Sequence, residues 1–193
     1  MDGVKKRLGE MAEIISGLGD DRHHEGACSY LYYQPNNLTD IEEPSPLTTI
    51  FRKEPISEKQ IVRSGDVMIK RLNHDRAYLA AEINTPATIS QNLFLIRALS
   101  GSCLPEYLAF LFEQQEILSQ ITQVSGSSAP IRALSAKMLF DISIPIKSIE
   151  TQRIIGGIWK LGKRRKLLLR KLESENDRLI AAIYNKYIGK EVG

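Results

Sequence analysis

Between Arg52 and Arg76 the chain collects side chains able to bind an anionic, hydrogen-bonding polymer. Lys70, Arg71, Asn73, His74 and Arg76 crowd the stretch KRLNHDR, with Arg52, Lys53, Lys59 and Arg63 upstream. Arg and Lys can pair with phosphates or guanine edges, Asn can read adenine, and His can do either. An ordinary hairpin loop on a wet surface has the same composition. Further on, SGSSAPIR offers the hydroxyls of Ser127 and Ser128, backbone N–H groups and Arg132. That set suits a phosphate, and equally a plain flexible connection.

Other chemistry is hard to place. The sequence contains neither a GxxxxGK[ST] phosphate loop nor a strand-linked GxGxxG. His23, His24 and Cys28 lie close in sequence, but adjacent histidines point apart in an extended chain and a fourth metal ligand is not evident. A solvated or hydrogen-bonding role suits them better than zinc, and the expectation is no metal and no cofactor. Cys103 precedes an apolar helix, where packing is expected rather than reactivity. SGSSAP has hydroxyls but no His and acid at a recognisable offset. No catalytic residues are assigned.

The elements that must carry these groups change character along the chain. LGEMAE reads as a short helical turn leading into the strand EIISG. SYLYY (29–33), two pieces of IVRSGDVMIKR (61–71) around a Ser-Gly-Asp turn, AYLAAEI (77–83) and NLFLIRAL (92–99) read as further strands. Residues 34–48, with three prolines, three acids and two adjacent asparagines, read as a surface loop. The apolar positions of LPEYLAFLFEQQEILSQI (104–121) recur at a helical period, with Pro105 in the first turn. SAKMLFD is a short helix capped by Ser135. DISIPI is a strand, with Pro145 at an edge or exit. Leu108, Leu111, Phe112, Leu139, Phe140 and Ile142 are the expected core. The fold class is α+β: a small, mostly antiparallel twisted sheet with helices over residues 1–148, then one long helix over 149–193.

That last helix is too long for a domain of this size to cover. Ile154, Ile158, Leu161, Leu168, Leu172, Leu179 and Ile183 step by four, three, seven, four, seven and four, a heptad seam. Arg165 occupies one skipped seam position, and Glu175 or Asn176 the other. A narrow stripe of this kind calls for a partner helix, or for folding back on its own domain. Gly156, Gly157 and Gly162 weaken the first turns, or let another backbone approach. The helix is also where the charge lies: residues 150–193 hold 11 Lys+Arg against 5 Asp+Glu, whereas residues 1–149 hold 15 against 18. No apolar run approaches the roughly 18–20 residues that span a bilayer. Two distant cysteines and a start that does not read as a signal peptide lead us to expect a cytoplasmic protein.

RLGEMAEIISG, SGDVMIKR, ISQNLFLIRAL followed by LPEYLAFLFEQQ, and ISIPIKSIETQRIIGGI before a long helix occur in that order. Together they resemble one target-recognition module, with its spacer helix, of a type I restriction–modification specificity subunit. The resemblance covers almost the whole chain. The family's exit from strand to helix reads Pro, then Glu-Gln. Here Pro145 leads to Glu150, Thr151 and Gln152. Residues 18–85 match only in outline. The resemblance implies a non-catalytic subunit that recognises half of a bipartite site in double-stranded DNA and positions a methyltransferase and, through it, a restriction subunit. Subunits of the family carry two modules and two paired helices that act as a ruler. This chain has one of each, so a homodimer through the last helix is expected. A module of net charge −3 is poorly suited to binding phosphates alone. A non-DNA-reading interaction protein working through its coiled helix is the alternative, and a small nuclease or methyltransferase a more distant one.

Overall fold

The computed structural model describes residues 4–19, 26–39, 46–99, 101, 103–124 and 133–187. β1 (Lys5–Arg7), a 3-10 turn at Leu8–Glu10 and β2 (Ala12–Ser16) open the chain. β3 (Cys28–Tyr33), β4 (Thr48–Arg52), β5 (Val67–Lys70), β6 (Ala77–Leu79), β7 (Ala87–Ile89) and β8 (Leu93–Ala98) follow. Then come α1 (Pro105–Phe112), α2 (Gln115–Val124), α3 (Ala136–Asp141), β9 (Ser143–Pro145) and α4 (Ile149–Tyr187). The strands form an antiparallel sheet in the order β2-β8-β5-β6, a three-stranded sheet β4-β3-β7 and a pair β1-β9. The class is α+β as expected, with a parallel pairing between β3 and β7.

The four-stranded sheet is the middle layer, and its residues alternate between two cores. Val67, Ile69, Phe94 and Ile96 face α1, α2 and α3, while Met68, Leu93 and Leu95 face the three-stranded sheet. All seven are fully buried. A strand covered on both faces reads as an uninterrupted apolar run, which is how VMI and LFLI look in sequence. A bidentate ion pair locks the middle of this sheet. Arg97 donates from Nε to Asp66 Oδ1 at 2.8 Å and from Nη2 to Asp66 Oδ2 at 2.7 Å.

Several expectations need correction. Ile61–Arg63 is not a strand. The Arg97 guanidinium donates to the carbonyls of Lys59 and Ile61, and Arg63 N–H turns to Asp66 Oδ2, so these groups leave the ladder. β1, β4 and β7 are additional strands. The helix expected over 104–121 is two helices, broken where the N–H groups of Glu113 and Gln114 bond back three residues to Phe110 and Leu111. Phe140 is 45% exposed, although Leu108, Leu111, Phe112, Leu139 and Ile142 are buried. Its ring lies over Gly9, where a Cβ would fall 1.9 Å from its Cδ2, and solvent reaches the far side. Ser135 does cap α3, accepting from Met138 N–H at 3.2 Å.

α4 is about 58 Å long at 1.5 Å per residue. One face of this helix folds back on its own domain, and the apolar stripe lies on the opposite face. Gln152, Gly156, Lys163 and Leu167 are buried on the face turned to the domain, and Ile155 and Trp159 pack on the helical core. Gln152 is fully buried. Its Oε1 accepts from Leu104 N–H at 2.8 Å and its Nε2 donates to Lys147 O at 2.9 Å, so it fastens the start of α1 to the start of α4. Gly156 is the crossing point: a Cβ there would lie 2.7 Å from Glu106 Cβ and 3.0 Å from Tyr107 N. From residue 168 to residue 187 every position is exposed.

The three helical glycines therefore separate by role. Gly157→Ala and Gly162→Ala, which meet nothing within 4 Å, should each stabilise the protein by about 0.8–1 kcal/mol. Gly156→Ala should destabilise it by about 1–3 kcal/mol, because the obstructing atoms include backbone. Urea unfolding of the three variants checks the split.

Candidate functional site

Two cations of the 52–76 interval, Lys70 and Arg76, are paired within it. Lys70 Nζ lies 3.3 Å from Asp75 Oδ1, and Arg76 contacts Asp75 Oδ2 through Nε at 2.8 Å and Nη2 at 2.7 Å. Burial pushes the Asp75 carboxyl up, but the Arg76 hydrogen bond and the charges of Lys70 and Arg76 outweigh it, and Asp75 sits below the usual carboxylate range. Arg71 lays its guanidinium 4.7 Å from the centroid of the buried Phe94 ring. Arg52 donates from Nη2 to Gly19 O at 2.8 Å, tying the segment after β2 to the end of β4. Lys53 is exposed. Asn73 is exposed at φ +49°, where it makes the turn between β5 and β6.

His74 faces inward. Its Nε2 donates to Phe112 O at 3.0 Å, and its ring meets Phe112 edge-on at 5.9 Å. Burial holds its pKa below the ordinary histidine value. The neutral ring is a structural peg between the β5–β6 loop and the end of α1. Cys103 is likewise buried, and burial pushes its thiol up to about 12, so it packs and does not react. Ser127, Ser128 and Arg132 lie outside the described residues, as do His23 and His24. Among the described residues no cluster of three His, Cys, Asp or Glu side chains is arranged to hold a metal ion.

Glu113 was not singled out in the sequence, yet it joins three elements. Its Oε1 accepts from Lys163 Nζ at 2.6 Å and from Ala77 N–H at 3.2 Å, and its Oε2 accepts from Trp159 Nε1 at 2.8 Å. Beside this knot a cleft of about 390 Å³ opens between β6 and α4, with Lys160, Lys163 and Arg164 on its helical wall and Glu82 and Glu106 among its acids.

Two further surfaces emerge. Tyr32, Gln34, Asn36, Ser90, Gln91 and Asn92 line a groove at the ends of β3 and β7. The side chains of Asn36, Gln91 and Asn92 are exposed there. The outer face of α4 is the second. Ile154, Ile158, Leu161, Leu168, Leu172, Leu179 and Ile183 are each between 50% and 69% exposed, on the side of the helix away from the domain.

Three solved structures share this arrangement of layered domain and long helix. The HsdS subunit from Thermoanaerobacter tengcongensis covers 96% of this chain and 44% of its own, with a TM-score of 0.60 and 23% identity. The type I restriction–modification S subunit from M. genitalium covers 98% and 46%, with a TM-score of 0.63 and 14% identity. The fold is that of a type I specificity subunit. A chain from a structural study of assembly and conformational transition in the type I system covers 94% and 43%, with a TM-score of 0.62 and 20% identity. This chain thus spans less than half the length of each structure. No protein-family model matches it, and no curated protein sequence matches it.

Within the specificity-subunit fold, the join between domain and helix depends on groups that cannot be left unpaired. Lys163 and Glu113 keep only 9% and 18% of their side-chain surface exposed. Removing one partner of such a pair strands the other charge. Glu113→Ala should cost about 3–5 kcal/mol, and Glu113→Gln, which keeps hydrogen bonding capacity, clearly less. Thermal denaturation of both variants is the measurement. Equal stability of wild type and Glu113→Ala would remove Glu113 from its place as the joint.

Proposed function

We propose that this chain is a DNA-specificity subunit, or one recognition module of such a subunit, in a type I restriction–modification system. It reads one half of a bipartite duplex site and carries no catalysis. It positions a methyltransferase subunit and, through that, a restriction subunit, in the cytoplasm. The observation that carries this reading is the pairing of the specificity-subunit fold, over 94% to 98% of the chain, with a docked helix whose apolar seam faces away from its own domain.

A helix held rigidly on one face and left apolar on the other acts as a spacer once a second helix covers it. The occupant proposed here is α4 of a second copy. Each fully buried Leu or Ile is worth roughly 1.5–3 kcal/mol. The seven seam residues of each copy have half or more of their surface still to bury. That outweighs an association cost of about 4–15 kcal/mol. The solved structures are a little over twice this chain's length, which leaves room for a second module and helix, and two copies would supply the same parts. Two-fold symmetry matches a palindromic split site. In an antiparallel pair, Arg165 at the skipped seam position can meet Glu175 of the other copy, fixing register.

The dimer is checked by light scattering. The intact chain should give twice the monomer mass at tens of micromolar, and Leu168→Glu with Leu172→Glu should return it to one. A monomeric wild type at that concentration sinks the dimer.

Recognition is checked separately, by co-expressing the chain with a type I methyltransferase from the same genome and mapping methylated bases. Co-purification with a single split motif is the expected outcome. The second reading, an interaction protein that works through α4 without reading DNA, draws support from the self-paired Lys70–Asp75–Arg76 cluster and the acidic balance of residues 1–149. Co-purification without any sequence motif would favour it.

A further inference from the structure

We infer that the groove between the ends of β3 and β7 is a base-reading site, and that its carboxamides recognise the major-groove edge of an A·T pair. This rests on the DNA-specificity reading above and names the residues that serve it. The groove, about 290 Å³, is lined by Tyr32, Gln34, Asn36, Ser90, Gln91 and Asn92, with Pro35 closing one side. Four of these carry carboxamides, from two separate loops. None of the lining side chains is an acid that would repel a phosphate backbone, and none is a cation of the kind that binds phosphate without regard to sequence. A carboxamide offers a donor and an acceptor side by side. That is the complement of adenine N7 and N6, and Asn and Gln bind this edge in bidentate fashion.

The backbone beneath the amides is held firmly. Ser90 N–H donates to Tyr33 O at 2.8 Å, Gln91 N–H to Leu18 O at 2.7 Å, and Arg71 N–H to Asn92 O at 2.9 Å. On the other wall, Gln34 N–H donates to Asn37 Oδ1 at 2.7 Å, and Asn37 Nδ2 to Pro46 O at 3.1 Å. Elsewhere in the molecule amides serve the fold: Gln152, Gln120 and Asn37 are all engaged with backbone. The amides of Asn36, Gln91 and Asn92 are exposed and engaged by no other described residue. A fixed backbone removes the cost of ordering the loops and leaves only the free side-chain rotamers to be ordered on a rigid partner. Arg71 reaches this loop only through its backbone, by the hydrogen bond to Asn92 O, and turns its guanidinium to Phe94 on the helical side of the four-stranded sheet.

The test is selection of a randomised duplex DNA library by the full chain at low salt, where phosphate affinity is strongest, followed by sequencing of the bound fraction. The wild type should enrich a motif containing an A·T pair. Asn36→Ala, Gln91→Ala or Asn92→Ala should lower discrimination at one motif position by about 5- to 150-fold, leaving the other positions and the salt dependence unchanged. Gln91→Glu keeps the shape of the side chain but removes its donor. It should turn the preference at its position from adenine towards cytosine, whose N4 donates to a carboxylate. If an alanine variant does not fold, this isosteric variant carries the test. A wild-type motif left intact by all four variants overturns this inference and leaves the specificity reading standing. Uniform weakening at every position also overturns it, since that marks a phosphate contact. A wild-type chain that enriches no motif overturns both.

Discussion

The Glu113 carboxylate is the joint on which the arrangement of domain and helix depends. It sits where the chain turns from α1 to α2, and the backbone bonds of that turn hold it in place. Its two oxygens then bind a cation and an indole on α4 and a backbone N–H on the edge strand β6. Desolvating a lysine costs several kcal/mol unless its charge is met at short range. Lys163 therefore holds α4 at one rotation about its axis. The adjoining residue acts alongside it, because Phe112 O receives the His74 ring from the β5–β6 loop. One helix-ending turn thus fixes the sheet edge, the hairpin loop and the long helix together.

That rotation decides what α4 can do. With Gln152, Gly156 and Lys163 turned inward, the heptad seam points into solvent for its whole length, from Ile154 to Ile183. The domain cannot cover it, because the domain is on the other side. Gly156 makes this possible by bringing α4 directly against Glu106 Cβ and the backbone of α1. A lever fixed so closely over its first half transmits the orientation of the domain to its exposed second half with little slack. A spacer between two recognition modules requires that property, and a flexible tether lacks it.

The parts of this fold legible from the sequence are those governed by local pattern. The apolar runs of β5 and β8, the Ser135 cap, the heptad seam and the length of α4 follow from periodicity and capping chemistry. The parts that escaped depend on partners far away in the chain. β7 is a strand because Tyr33 and its neighbours accept it in a parallel ladder. Ile61–Arg63 is not one, because Arg97 takes the Ile61 carbonyl and Asp66 the Arg63 N–H. The break at Glu113 is invisible in a run whose apolar spacing continues through it. The KRLNHDR cluster was legible as composition only: Asp75, within the same seven residues, pairs with both Lys70 and Arg76. The amide groove combines residues 34–36 with 90–92, and only the β3–β7 pairing brings them together.

On the proposed reading, charge and readout are separated in this molecule. A domain of net charge −3, with its densest basic stretch tied to its own aspartate, gains little from counterion release on a duplex. Base readout does not need that term, because carboxamides discriminate through geometry rather than net charge. The excess of cations lies on α4, in residues 150–193. Affinity can therefore come from the helix and from whatever assembles on it, while discrimination stays with the domain. A module built this way holds to no duplex strongly by itself. On the proposed reading, its own weak preference for one sequence turns into occupancy when an assembly brings it to the duplex.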